Sequence, residues 1–359
     1  MVHDLSPYIW RITGDLGIHW FGVTYLVAFV CFILIISWMS RRQRMGLTPE
    51  MIFDLVIFGS IGALIGGRLG YCLFYSPDLF LKFRGDFPFW GVLAVNEGGM
   101  STHGGIVGLG VALVFFSIRS GLSQLYLFDV AALVGSLGIF FGRVASFING
   151  ELVGRVADAS YPLAMKFPQD ILFWPQYDRQ KLSSLENVIT QVPQINSAMS
   201  KDEWLRLIAE TPSTESARTK IDWVLTQIIE SIQSGNEAVK NAVAPLLPFR
   251  HPWTLYAAVG EGLFIFLCLF AIWYKPRRPG IVAAWFVVLY SVIRIVDEQF
   301  RQPDPQLGLR WFDLTQGQWL SGIMLLVGIW WMVIFIGRRE TIPSPGWGLG
   351  PNVRIHRRI

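Results

Sequence analysis

Apolar runs of about twenty residues recur along this chain, separated by short polar stretches and by a single long one. Runs at 17–39, 51–71, 99–118, 125–148, 253–274, 281–297 and 316–336 are each long enough, or nearly so, for a helix to cross roughly 30 Å of hydrocarbon. The segment 87–95, with Phe87, Phe89 and Trp90, is too short to span and is expected to lie at the interface or re-enter. The long polar interval, 156–249, carries helical periodicity over 183–211, through Trp204, Leu205, Leu207 and Ile208. It carries it again over 213–243, through Ile221, Val224, Leu225, Ile228 and Ile229. Pro193 is expected to break the first of these helices, and the apolar stripes are expected to pack on each other rather than rest on lipid.

The pattern predicts an all-α, polytopic membrane protein with seven transmembrane helices and a mainly helical extracytoplasmic head. Residues 1–155 would hold helices 1–4, 156–249 the head, 250–340 helices 5–7, and 341–359 a basic cytoplasmic tail. Composition agrees: 52% of the 359 residues are hydrophobic and only 16% charged, which excludes an ordinary soluble domain. The net charge of +4 takes its meaning from location. Arg41, Arg42, Arg44, Arg119, Lys275, Arg277, Arg278, Arg338, Arg339, Arg354, Arg357 and Arg358 fall on one side of the predicted helices. They outnumber Arg11, Lys82, Arg84, Arg301 and Arg310 on the other. Positive charge gathers in cytoplasmic loops, so the N-terminus is expected outside and the C-terminus in the cytoplasm, with no implication of nucleic acid. Cys31, Cys72 and Cys268 lie in or beside apolar runs and suggest no disulfide framework. Asp4, Arg11 and Asp15 precede the first run without a basic n-region or a small-residue cleavage site, so no cleaved signal peptide is expected.

Formal charge emerges at the end of the fourth run, in the stretch from Gly142 through Arg143, Ser146, Asn149 and Glu151 to Gly154 and Arg155. A cation at that depth costs about 2.5–3.5 kcal/mol on insertion scales, so Arg143 must face a polar region and find a partner in protein or ligand. The structural alternative is an Arg143 that snorkels, or pairs with a carboxylate for packing. Other segments send polar groups to the same outer depth: Arg68 in Gly66-Gly67-Arg68-Leu69-Gly70-Tyr71, and His103 bracketed by Gly98, Gly99, Gly104 and Gly105. His251 opens the fifth helix, and Tyr290, Arg294 and Glu298 at spacings of four share one face of the sixth.

No zinc spacing, magnesium cluster, phosphate loop, dinucleotide fingerprint or serine elbow is present, so neither a metal nor a cofactor is expected. Arginines beside a histidine and glycine-rich backbone suit an anionic phospholipid head, because guanidinium binds phosphate bidentately. The histidine can take a proton from an incoming nucleophile. A lipid- or partner-binding membrane protein is the competing class. A transporter is disfavoured, since the polar groups cluster at one side and do not line a path through the midplane.

With these residues in view, the chain resembles the prolipoprotein diacylglyceryl transferases. The resemblance rests on His19-Trp20-Phe21-Gly22, Gly66 to Tyr71, Gly98 to Gly105, the Gly142 to Arg155 signature, Arg250-His251-Pro252 and the run from Tyr290 to Asp304. It touches every predicted helix but the last, and leaves 156–249 largely outside. It implies transfer of the diacylglyceryl group of phosphatidylglycerol to the lipobox cysteine thiol of a preprolipoprotein signal peptide, forming a thioether and releasing glycerol phosphate in the bacterial inner membrane. It implies His103, Arg143, Tyr290, Arg294 and Glu298 as catalytic residues. Arg143 and Arg294, with Arg68, Ser146, Asn149, Glu151 and Gly154, would bind the phospholipid. Two positions depart from the family pattern: Phe21 stands for a tyrosine and Ser146 for an asparagine. A catalytically weak or silent relative that binds lipid or a partner is the alternative these departures leave open.

Overall fold

A computed structural model of the chain describes residues 1–13, 16–43, 47–83, 85, 88–94, 99–151, 154–210, 214–303, 311–337 and 344–348. Glu97, Gly98 and most of the basic tail expected over 341–359 lie outside the described residues. The fold is mostly helical. Among the described residues, six helices are long and apolar enough to cross a membrane: α1 (Trp20–Gln43), α2 (Pro49–Phe74), α3 (Thr102–Ser120), α4 (Gln124–Ile148), Trp253–Ile272 and Gln316–Gly337. The remaining run expected from the sequence forms a helix of 17 residues, Ile281–Asp297, short for a full crossing at 1.5 Å per residue.

Several boundaries differ from expectation for local reasons. The first helix begins at Trp20 rather than 17, because the residues before it pair as a hairpin of β1 (Tyr8–Thr13) and β2 (Leu16–His19). Aromatic and β-branched residues dominate β1, a composition that favours the pleated strand. The third helix begins at Thr102 rather than 99. Gly99 sits at φ +81°, and Ser101 caps the helix by accepting from the Gly104 N–H.

The chain divides into two compact units. The first comprises 1–24, 142–257 and 300–302. Within it the insertion folds into α5 (Lys201–Glu210), α6 (Glu215–Gln233) and α7 (Glu237–Val243), preceded by short helical turns. Pro193 opens one of these turns, Pro193–Asn196, where its missing N–H is no loss. The stripe Ile221, Val224, Leu225, Ile228 and Ile232 of α6 is buried with Trp204, Leu182, Ile189 and Val239 in one apolar core, so the expected self-packing occurs. Each such burial contributes about 1.5–3 kcal/mol. The N-terminal segment is stitched to the insertion by Lys240–Asp4 and Arg11–Glu230 ion pairs, both 2.8 Å.

The second unit comprises 25–141, 258–299 and 303–359. Here α2 and α3 pack backbone to backbone. A Cβ at Gly66 would lie 2.5 Å from the Gly104 carbonyl oxygen, and one at Gly108 2.2 Å from that of Gly62. Small residues four apart on both helices permit this approach, the usual solution where lipid offers no hydrophobic drive. Of the glycines around His103, Gly104 serves this helix contact. The unit also holds most of α8 (Trp253–Ile272), which widens to a π-helical stretch over Ala258–Phe264, then α9 (Ile281–Asp297) and α10 (Gln316–Gly337). Buried Asp129 of α4 accepts from the Gly280 and Ala283 N–H groups, both at 2.8 Å, and satisfies donors that the start of α9 would leave orphaned.

Candidate active site

The second unit collects five of the expected residues. His103 is the second residue of α3 and half-buried. Its Nε2 lies 3.1 Å from the hydroxyl of Ser321 on α10, a bond that helps fix the ring's orientation. Its ring meets Tyr290 edge-on, with centroids 6.2 Å apart, and Tyr290 is fully buried against Phe286. One turn on, Arg294 is only 5% exposed. Its Nη1 donates to Glu261 Oε1 at 2.8 Å, and its Nη2 meets Glu298 Oε2 at 3.1 Å. The shared helical face of Tyr290, Arg294 and Glu298 is therefore present, and Glu298 pairs with Arg294 as its i,i+4 neighbour.

Glu298 is held in turn. Its Oε1 accepts from the Thr315 hydroxyl at 3.1 Å, and Gly317 lies so close that a Cβ there would come within 3.0 Å of the same oxygen. Thr315 caps α10, since its hydroxyl accepts from the Gln318 N–H while Gln318 Oε1 accepts from the Thr315 N–H. Glu261 comes from the π-helical stretch of α8 and is fully buried. Such wide turns recur at functional sites because they shift a side chain out of regular register. The backbone of that stretch lies close on α4: a Cβ at Gly262 would be 2.6 Å from Phe140 Cα.

Arg68 has a different environment. Its Nε, Nη2 and Nη1 donate to the carbonyls of Val92, Gly91 and Gly99 at 2.8, 2.7 and 3.1 Å. The guanidinium therefore ties Gly91, Val92 and Gly99 to α2.

The first unit holds the other expected residues. Arg143, near the end of α4, lies over the ring of buried Trp253, 4.8 Å from its centroid, and Arg301 lies over the same ring at 5.4 Å. Two cations within about 6 Å of one indole form a cationic patch that the ring's face partly stabilises. Beyond the helix, Asn149 Nδ2 donates to Glu151 Oε1 at 3.2 Å. Asn149 Oδ1 is buried with no hydrogen-bond partner among the described residues. Ser146 is buried, and its carbonyl accepts from the Glu151 N–H at 3.0 Å. Gly154 packs so tightly that a Cβ would fall 2.2 Å from the His251 carbonyl oxygen, which gives a packing reason for glycine there. His251 sits among Tyr161, Tyr256 and Phe300, its Nδ1 3.3 Å from the Tyr256 hydroxyl.

Sequence reasoning left Glu261, Ser321 and Thr315 out of the site. Glu261 carried a signal, a carboxylate inside an apolar run, the same signal that drew attention to Arg143. Ser321 and Thr315 carried none, because hydroxyl residues are unremarkable near the start of a membrane helix.

The family model of prolipoprotein diacylglyceryl transferases matches residues 7–334. The chain is 49% identical over 358 residues to the phosphatidylglycerol–prolipoprotein diacylglyceryl transferase of Bdellovibrio bacteriovorus, covering 100% of both chains. It is 33% identical over 332 residues to the enzyme of the same name from Ralstonia pickettii, covering 92% of this chain and 93% of the relative. A like-named Acinetobacter baumannii protein is 33% identical over 321 residues, covering 89% of each.

Proposed function

The chain belongs to the prolipoprotein diacylglyceryl transferase family, and from that membership we infer that it transfers the diacylglyceryl group of phosphatidylglycerol to a prolipoprotein. The acceptor is the thiol of a lipobox cysteine in the preprolipoprotein signal peptide. Sulfur attacks the glyceryl carbon that bears the phosphodiester, the carbon–oxygen bond breaks, a thioether forms and glycerol phosphate leaves. The match to the 49% identical relative spans the whole insertion, which fits an insertion common to both chains.

The residues have the chemistry this reaction asks of them. A cysteine thiol with pKa about 8.5 must lose its proton to become a nucleophile, and His103, held by Ser321, is the base. Arg143 binds the phosphate and stabilises the charge that develops as it departs. Its place beside Arg301 over one indole supports that role. Arg294 and Glu298 hold each other and, with Tyr290, shape the polar ground around His103. Asn149 offers a buried acceptor to a headgroup hydroxyl, with Glu151 as its neighbour, while Ser146 and Gly154 complete the loop. Arg68 acts on lipid through the connection it secures. The protein would sit in the bacterial inner membrane with seven crossings, α9 being the short one. Its N-terminus and the 156–249 head would lie outside, and its C-terminus in the cytoplasm.

The observation that carries this reading is the buried set of Tyr290, Arg294, Glu298 and Glu261 beside half-buried His103, a concentration of charge inside membrane helices that packing alone does not need. Membranes containing the chain, given phosphatidylglycerol and a lipobox peptide, should yield a peptide heavier by one diacylglyceryl group and resistant to thioester cleavage. Phosphatidylglycerol bound without thioether formation would instead support a silent, lipid-binding relative.

A further inference from the structure

The role of the long insertion follows from contacts at its two ends. Arg250 stands just past its last residue, and its backbone exchanges hydrogen bonds of 2.8 and 3.0 Å with Met165, near the insertion's start. From that fixed base the guanidinium reaches two ways: Nη2 to Asp170 Oδ1 at 2.7 Å, and Nη1 to the carbonyl of Gly154 at 3.0 Å. The Asp170 side chain is 6% exposed and that of Arg250 13%, so the pair is shielded and its geometry well defined. The preceding residue, Gln169, lies across Gly150, where a Cβ would fall 2.2 Å from its Nε2. Gly150 is at φ +70°, and the Gln169 amide donates to the Asn149 carbonyl at 3.4 Å. Consecutive insertion residues thus hold the signature stretch at two points, Gln169 at Asn149 and Gly150, and Asp170 at Gly154 through Arg250.

We propose that Gln169, Asp170 and Arg250 are positioning residues for lipid binding: the insertion fixes the loop that presents Asn149 and Glu151 to the phosphatidylglycerol head. The inference rests on the transferase reading, in which that loop borders the headgroup. None of the three touches the reacting atoms. Their loss should therefore loosen the hold on phospholipid while leaving peptide use and chemistry nearly intact. Asp170→Asn keeps the shape but removes the charge that orients Arg250, and Gln169→Ala frees the other end of the loop.

The test uses the full chain in detergent–lipid mixed micelles, with phosphatidylglycerol and lipobox peptide varied in turn. Asp170→Asn is expected to raise the KM for phosphatidylglycerol about tenfold, and Gln169→Ala about threefold, while kcat and the peptide KM stay within about twofold of the unaltered chain. Asp170→Glu should recover most of the loss. Binding of phosphatidylglycerol to the chain in nanodiscs, followed by native mass spectrometry, should weaken in the same order and reads the clamp without turnover. Folded Asp170→Asn and Gln169→Ala variants that bind phosphatidylglycerol as the unaltered chain does would overturn the proposal. If Asp170→Asn fails to fold, Gln169→Ala and Asp170→Glu decide it. Absence of thioether from the unaltered chain would count against the transferase reading instead, a separate outcome.

Discussion

Arg68 and Arg294 are both buried in helices of the second unit, both 5% exposed, and both lie near the end of their helix. Arg68 meets backbone carbonyls, three of them across a single connection. Arg294 meets carboxylates from two helical segments, Glu261 and Glu298, beside a tyrosine and a histidine. Carbonyls satisfy a guanidinium and fix a loop. The Arg294 carboxylates additionally place formal charge of both signs on the helical face that carries Tyr290, the ring His103 meets edge-on. The difference teaches that burial alone does not distinguish two arginines; on the transferase reading, what each is bonded to separates scaffold from chemistry.

That contrast can be broken by substitution. Arg294→Ala leaves two buried carboxylates without their cation, and should cost about 3–5 kcal/mol of stability by analogy with other broken buried pairs. Lipidation of the peptide should fall about a hundredfold or more even in the folded fraction. Glu261→Gln removes one carboxylate and keeps its shape. We expect a loss of roughly tenfold to a hundredfold in rate, with a smaller drop in the thermal midpoint than Arg294→Ala, measured on the same preparation. Arg68→Lys replaces a planar fork by a point charge that cannot meet all three carbonyls. It should lower stability by about 1.5–3 kcal/mol, while specific activity of the folded protein stays within about threefold. An Arg68→Lys rate loss as deep as that of Arg294→Ala would erase the distinction. Ser321→Ala deletes one hydrogen bond to His103, worth about 1 kcal/mol, and should slow turnover about fivefold without altering the KM for either substrate.

Much of this architecture could be read before the structure, and what could not shares a physical cause. Lipid-facing helices advertise themselves as apolar runs, so α1 to α4, α8 and α10 were located to within a few residues. The i,i+4 pairing of Arg294 with Glu298 is local geometry and was equally legible. Contacts between distant segments were not. Glu261 is 33 residues from Arg294 and Ser321 is 218 from His103, and no local period encodes such a meeting. The π-helical stretch of α8 was hidden too, because its apolar composition matches an ordinary helix. The glycines beside Arg68 and His103 were visible but ambiguous. Gly66 and Gly104 approach each other's helices, and a glycine beside a charged residue does not by itself say what it approaches. The N-terminal hairpin was missed because its residues merge into the apolar run that follows.

The most direct measurement of the central claim is the initial rate of thioether formation by His103→Gln, set beside the unaltered chain in the same membranes and followed by peptide mass. Glutamine keeps a polar group near Ser321 but cannot accept the thiol proton, so a fall of about a hundredfold or more is expected at neutral pH, with the chain still folded and still binding phosphatidylglycerol. A His103→Gln chain that forms thioether at the full rate would contradict the account.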